Sequence, residues 1–376
     1  MRAWNAGAWT SRAGWWMLAG GLAVACCAAG CGSAPAREHR ASAGSPRPAS
    51  PAATPAVAAT WYPAGQLPPT DAALTVAPYF VTLPSGRQNA PAVVTDALTG
   101  RVVATVVAPA SSTGFTGVAA AGDDRTFVLA AQGAAPSTTF YELQLGPAGQ
   151  PRALVPLPVT SAAYGGAFAV SADGSKLAIA TATANAAAIE VVSLAAQTVQ
   201  TWVGPAGHAT DLSWAGSQLA FQWWDGSPSA QAAQARSGVR LLDTAAPGTN
   251  LMASRLVITQ TSRTNLGRFT DLAYPLITED GSKVFATVLF GGATHPKAEV
   301  VEFSVRTGKP LAVVAPAASE SGTGSWCGVL WTNPSGTQAA AVCAAQGQIV
   351  GGRFASTNLH APSYNFSTPR VSFIAW

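Results

Sequence analysis

Seven residues in the second half of the chain have the types and the spacing of a ligand-binding site. They lie in three segments that are longer than the corresponding segments elsewhere: WWDGSPSAQAAQARSG from Trp223, TQTSRTNLGRFTDLAYP from Thr259 and GGATHPKAE from Gly291. Trp beside Arg and Asp suits stacking on a sugar ring or anchoring of a peptide. Side chains alternate along a strand, so one of the two adjacent Trp is expected to face the core. The candidate ligand-binding residues are Trp223, Trp224, Asp225, Arg263, Arg268, Asp271 and His295.

Signatures of catalysis are absent from the sequence. It has no metal-ligand spacing, Gly-x-Ser-x-Gly elbow, phosphate loop or His-Glu-x-x-His, and only four His. Several acidic residues, such as Asp123, Asp173 and Asp280, stand in turns, where Asp caps its own backbone. Asp225 and Asp271 form the one conceivable acid/base couple. We therefore expect a protein that is not an enzyme and that holds no metal and no cofactor.

The composition favours short strands and many turns over long helices. Of 376 residues, 10% are charged and 48% are hydrophobic, with 37 Gly and 27 Pro. A helical bundle or coiled coil needs more charge on its solvated faces. The net charge of +4 comes from the first 60 residues, which hold five Arg and one Glu. The rest of the chain is neutral, so we expect no nucleic-acid partner.

The first 30 residues combine positive charge with a long apolar run. Arg2 and Arg12 precede an apolar run from Ala13 to Gly30, which ends in small residues before Cys31. In the lipobox that AAGCGS resembles, the Cys is lipidated and becomes the mature N-terminus, although Ala28 stands where Leu is usual. This implies a bacterial lipoprotein signal peptide over residues 1–30, lipidation at Cys31 and a protein exported and anchored to the outer face of the bacterial cell membrane.

Two alternatives to lipidation at Cys31 remain open. Cys26 and Cys27 also follow small residues, and the apolar run is nearly long enough to be an uncleaved membrane anchor. Each alternative still places the bulk of the chain outside the cytoplasm. Residues 31–60 are rich in Pro, Ala and Ser without periodicity, which predicts a disordered linker before a folded domain over 61–376.

The folded part repeats a unit of two hairpins. Asp-Gly or a similar turn between two β-prone runs occurs five times, and each time a second, weaker hairpin follows. Four strands per repeat of about 50 residues are typical of a β-propeller blade, whereas a β-sandwich would not repeat in this way. The first hairpins are FTGVAAAGDDRTFVLAA from Phe115, GAFAVSADGSKLAIATA from Gly166, ATDLSWAGSQLAFQWW from Ala209, AYPLITEDGSKVFATVLF from Ala273 and CGVLWTNPSGTQAAAVC from Cys327.

These hairpins resemble blades of the WD-repeat and TolB-like propellers. The resemblance rests on the Ser-x-Asp-Gly pattern over Ser171–Ala178, its relative over Thr278–Ala286, and GHATDLSW from Gly207 followed by GVRLLD ending at Asp243. It covers roughly Tyr79 to Trp376. The TolB-like resemblance implies a structural or sensory accessory of an envelope complex as one function.

The ends of the repeat region predict the number of blades. Residues 79–108 supply three strands without an innermost one, and the chain ends in an isolated strand, RVSFIAW. If that strand completes the first blade, the ring closes without an exposed sheet edge. This gives a six-bladed β-propeller closed by the C-terminal strand. Seven blades are the alternative, because Trp61–Ala77 has room for an extra strand.

Cys327 and Cys343 are the two Cys of the folded part. Each stands eight residues from Ser335, the centre of the fifth turn, so an unbulged hairpin places them opposite each other. In an exported protein this spacing predicts a cross-strand disulfide, with two buried free thiols as the alternative.

The propeller positions the candidate site. Within a propeller the loop between the second and third strands shares a rim with the loops between blades, so the three long segments are expected on one rim of adjacent blades. We therefore predict a monomeric, noncatalytic propeller that binds an envelope protein or glycan through this rim. The alternative from another class is a propeller hydrolase or lyase acting on a sugar or lactone.

Overall fold

The computed structural model describes most of the chain from residue 78 onward. The described ranges are 60–61, 78–84, 91–97, 99–133, 137–161, 167–227, 229–260, 263–264, 267–290, 297–316, 326–332, 338–345, 348–355, 364–369 and 371–375. Cys31, the predicted signal peptide and the predicted linker up to residue 59 lie outside them. Among the described residues, no helix has the length and apolar character to cross a bilayer.

These residues form an all-β propeller with five blades that each come from one continuous stretch of chain. Blade I contains β5 (Ser112–Ala120), β6 (Thr126–Gly133), β7 (Thr138–Leu145) and β8 (Pro151–Ser161). Blade II contains β9 (Phe168–Val170), β10 (Lys176–Ala182), β11 (Ala187–Ser193) and β12 (Thr198–Gly204). Blade III contains β13 (Gly207–Ala215), β14 (Gln218–Asp225), β15 (Gly238–Asp243) and β16 (Arg255–Thr259).

The last two blades have the same antiparallel order. Blade IV contains β18 (Gly267–Ile277), β19 (Lys283–Phe290), β20 (Lys297–Ser304) and β21 (Pro310–Pro316), with the short strand β17 (Arg263–Thr264) beside β18. Blade V contains β22 (Trp326–Thr332), β23 (Gln338–Ala345), β24 (Gln348–Ala355) and β25 (Tyr364–Pro369). Blade III also carries helix α1 (Ala230–Arg236) and a 3₁₀ turn (Leu251–Ala253).

A further sheet is composite, as the ends of the sequence predict. It contains β2 (Tyr79–Pro84), β3 (Ala92–Asp96), β4 (Val102–Val106) and the C-terminal strand β26 (Val371–Ala375). Strand β26 pairs antiparallel with β2, so that Val81 lies opposite Ala375 and Leu83 opposite Phe373. The described part of the segment considered for an extra blade, β1 (Thr60–Trp61), pairs instead with β8 at the outer edge of blade I.

The core lies between neighbouring sheets. On β14, Leu219, Phe221 and Trp223 pack toward blade II, whereas Ala220 packs toward blade IV. Because both faces of such a strand are buried, its sequence is a nearly continuous apolar run. From the composite sheet through to blade V, a strand at one edge of each sheet contacts the equivalent strand of the next; β26 contacts β5, for example, and β13 contacts β18. We call these strands the inner strands.

The Asp-containing turns have the predicted geometry. The carboxylate of Asp173 accepts hydrogen bonds from the Ser171 hydroxyl at 2.6 Å and from the backbone N–H of Ser175 at 3.0 Å. Asp280 binds Thr278 and Ser282 in the same way. Gly174 has a φ of 70°, which Gly adopts without strain. These Asp residues stabilise hairpins, which confirms the turn prediction.

Candidate functional site

The strands that flank the long segments of blades III and IV have their ends at one end of the blades. Strand β13 begins where β14 ends, since Gly207 pairs with Asp225, and β18 begins at the same end, since Phe269 pairs with Phe290. We call this end the upper rim. Residues 226–237, 260–266 and 291–296 all connect strands there. His295 lies outside the described residues, as do the side chains of Arg263 and Arg268, whose backbones pair across β17 and β18.

The two Trp of the candidate site point to opposite sides of blade III. Trp223 is fully buried in the core between blades II and III, packed beneath Gly207. A Cβ on Gly207 would lie 2.5 Å from the carbonyl oxygen of Trp224 and 2.7 Å from the Trp223 ring, so only Gly fits there. Trp223 is therefore a packing residue that no ligand can reach, and the sequence-based set is corrected on this point.

Asp225 shares the face of Trp223 and is also withdrawn from solvent. Its side chain is 3% exposed, and Oδ2 lies 3.7 Å from Nη1 of Arg236, the last residue of α1. Oδ1 accepts a hydrogen bond from the backbone N–H of Ser227 at 2.8 Å. Asp225 thus holds the loop after β14 in place. The predicted coupling of Asp225 with Asp271 gains no support from this geometry.

Trp224 faces blade IV and remains partly exposed. It lies directly opposite His208, an exposed residue of β13. The next pair on this face, Thr210 and Gln222, lies deeper, and the Gln222 side-chain amide donates to the carbonyl of Leu272 in blade IV. His208 and Trp224, the rim aromatic pair, therefore lie at the upper end of the junction between blades III and IV.

Two carboxylates lie on the inner strands of the same junction. Asp211, on β13, accepts hydrogen bonds from the backbone N–H of Tyr274 at 3.5 Å and from the Thr210 hydroxyl at 3.3 Å. Asp271, on β18, accepts from the backbone N–H of Leu272 at 2.6 Å. We call Asp211 and Asp271 the carboxylate pair. Each strand is bulged at this level, β13 between Thr210 and Ser213 and β18 between Ala273 and Leu276.

Burial raises the pKa of both carboxyls. For Asp271 the pKa rises to about 7, mainly because burial disfavours the charged form, and the negative charge of Asp211 raises it further. The hydrogen bond from Leu272 N–H opposes this rise. Burial also raises the pKa of Asp211. Near pH 7 the pair can hold a proton on Asp271 and release it.

Sequence reasoning missed Asp211 and His208 as site residues, although a signal for Asp211 is present. Thr-Asp-Leu occurs at Thr210–Leu212 on β13 and again at Thr270–Leu272 on β18. The same motif in the inner strands of consecutive blades places equivalent side chains next to each other. Helix α1 was missed as well; Ser229 is its N-cap and accepts from the backbone N–H of Ala232.

Comparisons with known proteins find similarities among solved structures alone. No protein-family model matches the sequence, and no curated protein does. Among solved structures, the chain is similar to one described as a nidogen/laminin complex, with 12% identity, TM-score 0.45, and 79% of this chain and 97% of that one covered. It is also similar to the apocarotenoid oxygenase of Synechocystis, with 10% identity and a TM-score of 0.44. That match covers 80% of this chain and 72% of the oxygenase chain.

A third similar structure is a prolyl endopeptidase, with 15% identity and a TM-score of 0.38. The match covers 70% of this chain but only 37% of the length of that protein. These three structures include enzymes and a binding complex, so similarity of fold does not choose between the two functions.

Proposed function

We propose that this chain is an exported β-propeller, lipid-anchored through Cys31, that binds an envelope protein or glycan noncatalytically through its upper rim. The composite sheet acts as the sixth blade that closes the ring, in the manner of WD-repeat-like and TolB-like propellers. The observation that carries the binding proposal is the rim aromatic pair. Trp224 and the exposed His208 lie side by side at the junction of blades III and IV, where the carboxylate pair also lies.

The chemistry of these groups suits a polyhydroxylated ligand or a peptide. The face of an indole stacks on the C–H groups of a sugar ring or on an apolar side chain. Carboxylate oxygens accept hydrogen bonds from hydroxyl or amide groups. Trp224 would therefore anchor the ligand and the polar groups would set its orientation, as in interfaces dominated by a few aromatic residues.

The test is binding of the full-length protein to a panel of soluble envelope oligosaccharides, together with crosslinking on intact cells. Trp224→Ala should weaken binding about tenfold or more, because it removes the anchoring ring. Trp223→Phe is the matched control, because it changes the buried neighbour and should leave affinity within about twofold. If folded Trp224→Ala binds as tightly as the wild type, the rim assignment is wrong.

A hydrolase or lyase acting on a sugar or lactone is the second candidate, favoured by the carboxylate pair. An acid with a pKa of about 7 beside a second carboxyl is suited to general acid/base catalysis. The binding experiment separates the two functions. Ligand recovered intact supports a binding protein, whereas ligand that is cleaved by the wild type and not by Asp271→Asn supports an enzyme.

A further inference from the structure

A second concave site lies at the opposite end of blades III and IV. At this lower rim, β16 begins at Arg255, and the turns between β18 and β19 and between β20 and β21 come together. They border an open cleft of about 560 Å³. It is lined by Arg255, Gly281, Ser282, Ser304, Val305 and Arg306. A volume of this size is within the range of small-molecule sites.

Contacts between the two blades fix the walls of this cleft. The Nη1 of Arg255 donates to the carbonyl of Val305 at 2.7 Å, which ties the first residue of β16 to the turn of blade IV. The backbone N–H of Val305 in turn donates to the carbonyl of Ser282 at 3.0 Å. A Cβ on Gly308 would lie 2.0 Å from the carbonyl oxygen of Val257, so the turn abuts β16 closely. The guanidinium of Arg255 is thus held in position before any ligand arrives.

The polar groups of the cleft are mostly hydrogen-bond donors. Arg255 uses one of its five N–H groups on Val305, and the described residues give Arg306 no hydrogen bond or ion pair. The Ser304 hydroxyl oxygen accepts from Thr307 N–H at 3.3 Å, which leaves its own proton available to donate. The Ser282 hydroxyl is already bound to Asp280.

Both charged side chains that line the cleft are cations. Arg255, Arg306 and Lys309 are exposed cations at this rim. Lys283 forms an ion pair with Glu302, in which Nζ lies 2.8 Å from Oε1. The acidic residues Glu279 and Asp280 precede Gly281, and neither is among the residues that line the cleft. The carboxylate of Asp280 accepts hydrogen bonds from Thr278 and Ser282 of its own turn. Two guanidinium groups and a hydroxyl can serve three oxygens, as a phosphate presents, whereas a carboxylate offers only two.

We propose that this lower cleft binds a phosphate group, carried on a sugar-sized molecule or on a lipid headgroup, between Arg255 and Arg306. The site is separate from the upper rim and does not depend on the function proposed for it. Binding there would give the protein two ligand sites at opposite ends of the same pair of blades.

The test is calorimetric titration of the full-length protein, in a neutral detergent at low salt, with glucose 1-phosphate. A second arm uses monomeric dihexanoyl phosphatidic acid as the lipid probe, because its phosphate monoester also presents three terminal oxygens. Glucose and dihexanoyl phosphatidylcholine serve as probes without net negative charge. Arg306→Gln should weaken binding about tenfold, because a charge-assisted contact to phosphate is lost. Lys309→Gln removes the same charge from the same turn outside the cleft, and should weaken binding less than about twofold.

Each outcome decides the proposal. Saturable binding of either phosphate probe with this dependence on Arg306 supports it, and the probe that binds identifies the source of the phosphate. Absence of saturable binding by both probes overturns it. Equal weakening by Arg306→Gln and Lys309→Gln also overturns it, because the phosphate probe would then be attracted by the overall positive charge of the rim and not bound in the cleft. Arg255→Gln serves as a second variant, with thermal unfolding as the check that each protein is folded.

Discussion

The carboxyl of Asp271 is neutral or charged according to small changes near pH 7. Its pKa of about 7 results mainly from burial at the junction of two inner strands and, to a lesser extent, from the charge of Asp211. Turn residues of the same type behave in the opposite way. The hydroxyl of Ser171 lowers the pKa of Asp173 by donating to its carboxylate. Burial therefore makes Asp271 a group that titrates near neutral pH, whereas hydrogen bonding keeps Asp173 charged as a turn residue.

The raised pKa of Asp271 predicts a loss of stability as the pH rises. Between about 4 and about 7 the folded state keeps a proton that the unfolded state has released, so the free energy of unfolding falls across this window. Because Asp271 is partly exposed, we expect a loss of about 2 kcal/mol or less. Asp271→Asn should flatten this part of the profile, measured by urea unfolding at a series of pH values.

Asp173→Asn is the control for that series. Since the pKa of Asp173 is lowered on folding, its contribution is present at neutral pH and is lost as the pH falls through its folded pKa. The control variant should therefore differ from the wild type mainly in slope at the acidic end. An Asp271→Asn profile parallel to that of the wild type between pH 4 and 7 would contradict the pKa assigned to Asp271.

The pairing of β22 with β23 determines whether Cys327 and Cys343 are close enough to form a disulfide. In blade V, Cys327 of β22 lies directly opposite Cys343 of β23, as predicted, although the hairpin is not the unbulged one from which the pairing was deduced. The hairpin is bulged between Val329 and Trp331. Nearer the turn Trp331 pairs with Ala340, and it is the bulge that brings Cys343, rather than Ala344, opposite Cys327. The bond between the two sulfur atoms stays a prediction.

We predict that Cys327 and Cys343 form a disulfide when the protein is exported. Directly opposed strand residues are close enough for a disulfide, and oxidising compartments favour it. The bond should add about 3 kcal/mol or less, because the loop it closes is short. Mass spectrometry after alkylation without reductant should find both Cys unmodified, and Cys343→Ser should expose Cys327 to alkylation. Alkylation of both in the native exported protein would show free thiols instead.

The elements differ in how far the sequence predicts them. Hairpins with Asp-Gly turns and apolar strands follow from local chemistry. The outward face of Trp224 and the burial of Trp223 required the register of β13 with β14. The carboxylate pair depends on bulges in two strands of different blades, which no local pattern specifies. Site geometry here is a property of the packing between blades.

At the scale of the molecule, the composite sheet joins the two ends of the folded chain. Strand β26 covers the inner edge of β2, and together these strands contact β5 of blade I. Tyr79, Val81 and Leu83 of β2 are buried in the core shared with blade I. Strand β26 thus protects an edge that would otherwise be open to other strands.

Deletion of residues 371–376 should destabilise the whole propeller and promote aggregation, because the inner edge of β2 loses its partner. The measurements are thermal unfolding and light scattering of the full-length and shortened proteins. Adding a synthetic peptide of sequence RVSFIAW should restore part of the lost stability, whereas a scrambled peptide should not. A shortened protein as stable and monodisperse as the full-length one would contradict the closing role of β26.

The pairing of β26 with β2 also sets an order in time. Val81 and its partner Ala375 are separated by about 290 residues of chain. At ordinary rates of synthesis, β2 leaves the ribosome roughly 15 to 60 s before the strand that completes its sheet. During that interval the apolar edge of β2 has no native partner, and contacts so distant in sequence form slowly. Completion of this sheet therefore waits for the synthesis of β26, and until then the edge of β2 is open to pairing with other strands.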